Sequence, residues 1–336
     1  MPPNNPLDLL ICSTCGTQFS TPTQENLPSC KICDDPRQYV PPTGQAWTTL
    51  TELRNSKDPS YKNIFTPDPI LGDRLIAIHT EPRVAIGQRA YLCRMDVQTP
   101  LPPPPPPPPG SKARGKESDG KTTFNILWDC ITYIDDETVS EIKRLGGIDA
   151  IVISHPHYFT THVDWADLFK CPVYLSAEDK EWAVRRGEAQ VLFGESSLSF
   201  SPQGVYGGDD GRADIVAIKT GGHFPGSTVL WWKSLKTLLI ADTIAVVPSA
   251  RYWVDRPPGT ASFTFMWSYP NMIPLSADDV HGIWKAIKHT EFDITRGAFI
   301  GMDTDTDSRK RLLDSAQISV KAMGYLDHAI HQEECL

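Results

Sequence analysis

The sequence predicts a mixed α/β domain of layered sheets, preceded by a small zinc-ribbon-like module. Paired cysteines near the start of the chain predict the module. From about residue 124 onward, short apolar strands alternate with helices, a pattern typical of layered α/β domains. A histidine or an aspartate follows three of these strands, and these residues predict a metal site at the edge of a sheet.

The length of the chain, its net charge and its short apolar stretches together exclude several classes of protein. The 336 residues, 40% of them hydrophobic, suffice to bury a sizeable core without disulfides. The net charge of −9 disfavours a nucleic-acid partner, because an acidic surface repels phosphate backbones. We see no secretion signal and no apolar stretch near the roughly 20 residues that a membrane helix needs. We therefore expect a cytoplasmic protein without a membrane partner, whose cysteines are reduced thiols or metal ligands.

The N-terminal module, residues 1–45, contains two Cys-x-x-Cys pairs, Cys12 with Cys15 and Cys30 with Cys33. Four thiolates at this spacing can surround one Zn²⁺ tetrahedrally. Such a site has no open position, so we expect this zinc to be structural. The alternative is four unrelated buried cysteines.

The second predicted domain, residues 46–336, begins with a helix around 49–56 and strands over 75–79, 89–95 and 124–128. Further elements follow: helices over 135–145, 163–169, 177–186, 277–288 and 308–324, and strands over 148–154, 173–176, 215–219, 228–233 and 237–241.

A proline run, Pro102 to Pro109, lies in a predicted insertion at about 98–121. Proline cannot continue a sheet, so we interpret the insertion as a lengthened hairpin tip between two strands. The run is typical of segments that bind SH3, WW or profilin-type partners. A tolerated low-complexity insertion has the same composition.

The metal-ligand pattern begins where the apolar strand 148–154 ends, at His155 and His157. In an extended turn this spacing points both imidazoles the same way. His223 lies in a glycine-rich loop, residues 221–227, and Asp242 follows the apolar strand 237–241. Strand ends that offer ligand-type residues in this order predict a shared metal.

This order resembles that of the metallo-β-lactamase superfamily, over roughly residues 70–320. Asp129 matches the supporting aspartate of that family, and the later positions match its histidine pair, its third histidine and its bridging aspartate. The cysteine pairs and the segment Ser268 to Asn271 are similar to those of a subgroup of fungal and bacterial hydrolases with this fold. The resemblance implies an αββα sandwich, a catalytic metal and hydrolytic activity.

The chain departs from the family pattern at the second metal site. Phe159 and Thr160 stand where the family has an aspartate and a histidine, and the predicted late strand over 297–302 carries no histidine. We therefore expect one catalytic zinc, held by His155, His157, His223 and Asp242, besides the structural one. His162, Asp303 and Asp305 are candidates for a displaced ligand, and His162 also for a proton donor.

The predicted reaction is the metal-dependent hydrolysis of a small lactam, lactone, ester or cyclic carbamate. Zinc-bound water would attack the carbonyl, and Asp242 or His162 would be the catalytic proton-transfer group. Tyr158 and Trp165 are candidates to line a pocket for a flat substrate. The resemblance extends, by analogy, to detoxification of a plant or microbial xenobiotic such as a benzoxazolinone-type lactam.

Two other functions remain open from the sequence. A persulfide dioxygenase-like enzyme would hold one iron through His155, His223 and Asp242. A catalytically inactive, metal-stabilised scaffold would use the cysteine module and the proline run to recruit partners. The identity of the bound metal separates the two enzymes.

Overall fold

The N-terminal module lies against the main domain in this computed structural model, which describes residues 5–97 and 122–335. The module contains strand β1 (Ile11–Cys12), helix α1 (Lys31–Asp34) and strand β2 (Trp47–Thr48), and β1 pairs antiparallel with β2. A short helix, α2 (Leu50–Asn55), leads into the main domain. The Gln18 amide donates to the carbonyl of Thr160 over 3.1 Å, which connects the module to the region of the predicted site.

The first sheet has seven strands in sequence order, β3 to β9. They are β3 (Lys62–Asp68), β4 (Gly72–Glu81), β5 (Ala90–Asp96), β6 (Thr123–Trp128), β7 (Ala150–Val152), β8 (Val173–Ser176) and β9 (Gln190–Phe193). Helices α3 (Asp136–Arg144) and α4 (His162–Phe169) connect its later strands. Because β6, β7 and β8 are parallel, their carboxyl ends meet at one edge of the sheet.

The second sheet has the order β11-β10-β12-β13-β14-β19-β20. Its strands are β10 (Ser197–Ser201), β11 (Gly204–Gly207), β12 (Ile215–Lys219), β13 (Thr228–Trp232), β14 (Thr237–Ala241), β19 (Ile294–Gly297) and β20 (Asp303–Thr304). Two short antiparallel pairs lie between β14 and β19: β15 (Ala245–Val246) with β16 (Phe263–Thr264), and β17 (Met266–Ser268) with β18 (Ile273–Pro274). Helices α5 (Ala277–Ile287) and α6 (Ser308–Ala322) belong to this half of the domain.

Alternating side chains of the second sheet pack into two different hydrophobic cores, one on each face of the sheet. In β12, Ile215 and Ala217 belong to the core shared with the first sheet, whereas Val216 and Ile218 pack with α5 and α6. Successive side chains of a strand point to opposite faces, so a strand buried on both faces is apolar throughout. The domain is therefore an αββα sandwich, as predicted.

The predicted strands over 173–176, 215–219 and 237–241 match the structure residue for residue. The predicted helix over 177–186 is instead a short 3-10 helix, Ala177–Trp182. Its Asp179 is buried and accepts from the Gly226 amide, whereas Glu178, Lys180 and Glu181 are exposed. The predicted late strand over 297–302 is also shifted: β19 ends at Gly297, and a turn follows.

The flanks of the predicted insertion behave as expected, because β5 and β6 pair antiparallel with Asp96 opposite Thr123. The proline run itself lies outside the described residues. In the described part of the chain, no helix is both long and apolar enough to cross a membrane.

Candidate metal centre

The four module cysteines converge into one buried group, which we call the cysteine group. Their sulfur atoms all lie within 4.8 Å of one another, with Cys12 to Cys33 and Cys15 to Cys30 at 3.6 Å. Each pair closes a tight turn, since the Gly16 amide donates to the Cys12 carbonyl and the Asp34 amide donates to the Cys30 carbonyl. The arrangement fits a tetrahedral zinc.

A second buried group comprises His155, His157, His223 and Asp242, and we call it the histidine group. One ligand atom from each residue lies within 4.8 Å of the others. Asp242 Oδ2 is 3.3 Å from His155 Nε2 and 3.8 Å from His157 Nδ1, and His223 Nε2 is 3.1 Å from His157 Nδ1. The structure thus brings together the four residues that the sequence predicted as ligands of the catalytic metal.

Strand ends of both sheets deliver these side chains to one edge of the sandwich. His155 and His157 follow β7, His223 follows β12, and Asp242 follows β14 directly. Ala241, the last residue of β14, has a φ of 46°, a left-handed conformation that is uncommon outside glycine. Such backbone strain concentrates at functional sites.

Hydrogen bonds fix the orientation of two imidazoles. His223 Nδ1 lies 3.0 Å from the Met266 carbonyl, to which it donates, so its Nε2 carries the free electron pair. His155 Nδ1 lies 2.8 Å from Ser154 Oγ, which in turn contacts Asp129 Oδ2 at 3.0 Å. Asp129 also accepts from the Ser154 amide at 2.7 Å. Partners of this kind hold metal-binding histidines in one tautomer, and Asp129 therefore occupies the supporting position expected of it.

Burial favours the neutral form of His157 and His223, which is the form that binds metals. It lowers the pKa of His157 to about 4 and the pKa of His223 well below its usual value. Burial opposes ionisation of Asp242, but the adjacent imidazoles of His155 and His157 hold the pKa of its carboxyl well below the usual range. Neutral imidazoles beside a carboxylate form a suitable donor set for a divalent cation.

Unpaired buried atoms provide a second test of whether a metal fits. Nε2 of His155 and Nε2 of His157 are both buried without a hydrogen-bond partner among the described residues. Buried polar atoms in native proteins are rarely left unsatisfied. A metal at the centre of the group would satisfy His155 Nε2, which already faces Asp242 Oδ2.

Two tyrosines position Asp242. The Tyr158 hydroxyl donates to Asp242 Oδ1, and the Tyr269 hydroxyl donates to the Asp242 backbone carbonyl over 2.9 Å. Oδ2 is thereby left facing the histidines. The sequence predicted Tyr158 on a pocket wall, whereas in the structure its hydroxyl orients Asp242.

The loop that carries His223 depends on close packing at Gly226. The Gly226 amide donates to Asp179 Oδ1 over 3.0 Å, and a Cβ at this position would lie 2.1 Å from Ser176 Oγ. Gly222 has a φ of 87°, which a side chain would disfavour. The glycines therefore allow the loop to approach the first sheet and to turn His223 inward.

A cavity of about 220 Å³ opens beside the histidine group. His157, His223 and Asp242 form part of its wall, and most of the remainder is apolar. The other lining residues are Arg37, Gln38, Tyr39, Ile86, Ala241, Ile244, Ala245, Val246, Tyr269, Pro270, Gly297, Ala298, Phe299 and Met302.

Three of these residues, Arg37, Gln38 and Tyr39, come from the N-terminal module, and we call them the module wall. The side-chain amide of Asn271 holds them by donating to the carbonyls of Pro36 at 2.9 Å and Gln38 at 3.1 Å. Sequence reasoning did not identify this contribution. The one signal in the sequence is the segment Ser268 to Asn271, whose resemblance to a subgroup of hydrolases assigns it no contact.

His162 does not join the histidine group or line the cavity. It begins α4, where its Nδ1 lies 2.6 Å from the Phe159 carbonyl and its Nε2 lies 2.6 Å from Gln190 Nε2. Both ring nitrogens are therefore engaged by protein groups, and burial lowers its pKa to about 4. His162 is thus not placed to act as the predicted proton donor.

The other candidates for a displaced ligand are also engaged elsewhere. Asp303 pairs with Arg89, and Asp305 lies 2.7 Å from Arg296 Nη1. Trp165 is fully buried and donates to the Ile131 carbonyl, so it does not line the cavity. Within residues 5–97 and 122–335, the cysteine and histidine groups are the two sets of three or more metal-ligand side chains that converge.

Comparisons with known proteins agree with this geometry. Residues 120–284 match the family model of the metallo-beta-lactamase superfamily. Over 292 residues the chain is 35% identical to the uncharacterized protein YmaE of Bacillus subtilis (strain 168). The matched residues make up 86% of this chain and 88% of YmaE.

Solved structures with a similar backbone trace include two metallo-beta-lactamases. The enzyme from Pontibacter korlensis has a TM-score of 0.48 and 10% identity, with 77% of this chain and 98% of that chain covered. The enzyme from Hirschia baltica has a TM-score of 0.44 and 14% identity, with 76% and 97% covered. The family match and the YmaE relative together carry the assignment: the chain belongs to the metallo-beta-lactamase superfamily.

Proposed function

We propose that the chain is a zinc-dependent hydrolase that opens a small cyclic carbonyl compound. Members of the superfamily are usually metal-dependent hydrolases. The observation that carries the proposal is the position of the histidine group, which forms part of the wall of a cavity. A buried set of ligand residues that meets a cavity is suited to chemistry as well as to structure.

His155, His157 and His223 would hold the metal, with Asp242 Oδ2 as the further ligand or as the group that accepts a proton from water. A divalent metal bound there would supply a Lewis acid and a water of lowered pKa. Asp129, Ser154 and the Met266 carbonyl would keep the imidazoles oriented.

In the proposed reaction, the oxygen of a water molecule bonds to the substrate carbonyl carbon, and the ring C–N or C–O bond breaks. The nitrogen or oxygen that leaves takes up a proton. A lactam thereby opens to a carboxylic acid, and a cyclic carbamate opens to a carbamic acid or a hydrogen carbonate ester, depending on which ring bond breaks. Asp242 is the acidic residue on the cavity wall, and the Tyr158 hydrogen bond leaves its Oδ2 available to accept and return that proton. The apolar wall limits the water around the reacting atoms.

The dimensions and charge of the cavity support a compact, uncharged substrate. Its volume of about 220 Å³ lies below the roughly 300–1,000 Å³ of sites for drug-sized ligands. Arg37, the basic residue on the wall, is already paired with Asp35 at 2.6 Å. A bicyclic lactam or cyclic carbamate, such as a benzoxazolinone-type xenobiotic, matches these properties.

The cysteine group would bind a second, structural zinc. The proposal favours hydrolysis over iron-dependent dioxygenation because His157 lies in the same group as His155, His223 and Asp242. An inactive scaffold would have no use for a cavity lined by three of these ligand-type residues.

The test combines metal analysis with turnover of benzoxazolin-2-one by the full chain. We expect two zinc ions per wild-type chain, and one in His155→Ala and in His223→Ala, with turnover reduced by at least about 10³-fold. The exposed His289 provides a matched control, because His289→Ala should keep both metals and the activity. One metal unaffected by either variant would contradict the proposal, and iron with oxygen consumption would support the dioxygenase.

A further inference from the structure

The cavity wall carries three aromatic side chains other than histidine, namely Tyr39, Tyr269 and Phe299. Two of them are engaged by the protein itself. The Tyr269 hydroxyl donates to the Asp242 carbonyl over 2.9 Å, and the Tyr269 ring lies 5.6 Å from the ring of His223. Phe299 packs against the core between the two sheets. Tyr39, from the module wall, is the one left without such contacts.

The side chain of Tyr39 is accessible to a ligand. Tyr39 is 47% exposed, and it belongs to none of the three apolar clusters of the described chain. Within residues 5–97 and 122–335, its side chain makes no hydrogen bond, ring contact or cation contact. Apolar surface that is exposed in the free protein gains free energy when a ligand covers it. The ring is therefore available to bind a compound that enters the cavity.

The backbone that carries Tyr39 is held in place. The side-chain amide of Asn271 donates to the Gln38 carbonyl over 3.1 Å, and the planar peptide group contains that carbonyl together with the Cα atom of Tyr39. On the preceding side, the Gln38 amide donates to the Asp35 carbonyl over 2.9 Å. The ring thus starts from a fixed point on the wall, which lowers the entropy that a ligand must remove to order it.

The wall changes from buried to exposed between the histidine group and Tyr39. His157 and His223 are buried, whereas Tyr39 and Pro270 are exposed, and all four line the same cavity. The cavity therefore leads from the histidine group to the surface beside the module. A bicyclic compound whose carbonyl lies at the histidine group would extend its second ring toward that exposed side.

We infer that Tyr39 determines substrate specificity by stacking its ring on a flat ring that is fused to the lactam or cyclic carbamate. Offset-stacked aromatic pairs are favourable beyond the area that they bury, and a monocyclic carbamate has no such ring. The inference rests on the proposed function and narrows its substrate class to compounds with a fused aromatic ring. The wall position that the sequence suggested for Tyr158 and Trp165 falls to Tyr39 instead.

The experiment compares benzoxazolin-2-one with oxazolidin-2-one on the zinc-loaded full chain. Both compounds are cyclic carbamates with an N–H, and they differ in the fused benzene ring. Kd is measured by calorimetry where no turnover occurs, and KM and kcat where it does. The variants are Tyr39→Leu, which removes the aromatic ring, and Tyr39→Phe, which retains it. Both should fold, because Tyr39 belongs to none of the three apolar clusters.

We expect Tyr39→Leu to raise Kd or KM by at least about tenfold for benzoxazolin-2-one and by less than about threefold for oxazolidin-2-one. Tyr39→Phe should keep most of the affinity for benzoxazolin-2-one, because it keeps the ring. The loss should be in KM rather than in kcat, since Tyr39 is outside the histidine group. Tyr325 provides the control: it is 55% exposed and outside the cavity, so Tyr325→Leu should behave as wild type.

The outcomes separate the inference from the proposed function. Binding of benzoxazolin-2-one that weakens selectively in Tyr39→Leu, without hydrolysis by the wild type, would support the inference and contradict the hydrolase. Hydrolysis by the wild type, with no loss or with equal losses for the two compounds in Tyr39→Leu, would support the hydrolase and overturn the inference. Neither binding nor turnover of benzoxazolin-2-one by the wild type would overturn the inference as well.

Discussion

The cysteine group and the histidine group are both buried sets of four ligand-type side chains, but their surroundings differ. None of the four cysteines lines the cavity, and their sulfurs mainly contact one another. Three members of the histidine group lie on the cavity wall, and hydrogen bonds from outside the group orient its side chains. Similar local convergence thus suits a closed structural site in one case and a site accessible to a ligand in the other.

The two groups are also connected through the chain. The module wall begins four residues after Cys33, and it forms part of the same cavity as His157, His223 and Asp242. A metal in the cysteine group would therefore act on the chemical site through the position of that wall. Substitutions at Cys15, Gly226 and Asn271 test this division of roles.

The largest expected effect is on the stability of the module. In Cys15→Ser the module should lose its metal, and residues of the loop between the cysteine pairs should become cleavable by protease, because structural zinc contributes folding free energy directly. The histidine group should retain its own zinc. Metal analysis and limited proteolysis provide the measurements.

Cys171 provides a control for Cys15→Ser, since it is a buried cysteine outside both groups. Cys171→Ser should leave the metal content unchanged. Loss of both metals from Cys15→Ser would show that the two groups are not independent.

An intermediate effect is expected at Gly226, which lets the His223 loop approach the first sheet. In Gly226→Ala the new Cβ would lie 2.1 Å from Ser176 Oγ and 2.4 Å from Ser176 Cβ, so the loop must shift. We expect the zinc affinity of the histidine group to fall by about 10–100-fold, as for other losses of supporting contacts. Competition with a chelator measures this affinity.

Gly194 is the matched control for Gly226, because a Cβ there meets no atom within 4 Å. Gly194→Ala should bind zinc as the wild type does. Equal affinity in Gly226→Ala and wild type would mean that the His223 loop tolerates displacement.

The sequence was sufficient to predict the histidine group because each member directly follows, or lies in the loop after, an apolar strand. Strand ends have a fixed relation to the edge of a sheet, so residue type and order along the chain predict convergence. The module wall has no such relation. Arg37 to Tyr39 reach the cavity through a tertiary contact with Asn271, which neither spacing nor periodicity reveals.

His162 is the opposite case, because the sequence predicted a role for it and the structure places it outside the histidine group. Its residue type and its place near the histidine pair suggested a catalytic role. The start of α4 instead turns its ring toward the Phe159 carbonyl and Gln190. Side-chain direction at a helix terminus depends on local backbone geometry, which the spacing of two or three residues does not determine.

The smallest expected effect is at Asn271, which fixes the module wall without touching the histidine group. In Asn271→Ala the carbonyls of Pro36 and Gln38 lose their donor, and Gln38 becomes less well positioned. We expect KM to rise by about three- to tenfold while kcat and metal content stay near wild type, because a loosened wall weakens binding rather than chemistry. The exposed Asn55 provides the control, and Asn55→Ala should change neither constant. A fall in kcat together with lost zinc would instead mean that Asn271 supports the histidine group, and the module would then contribute to holding the metal.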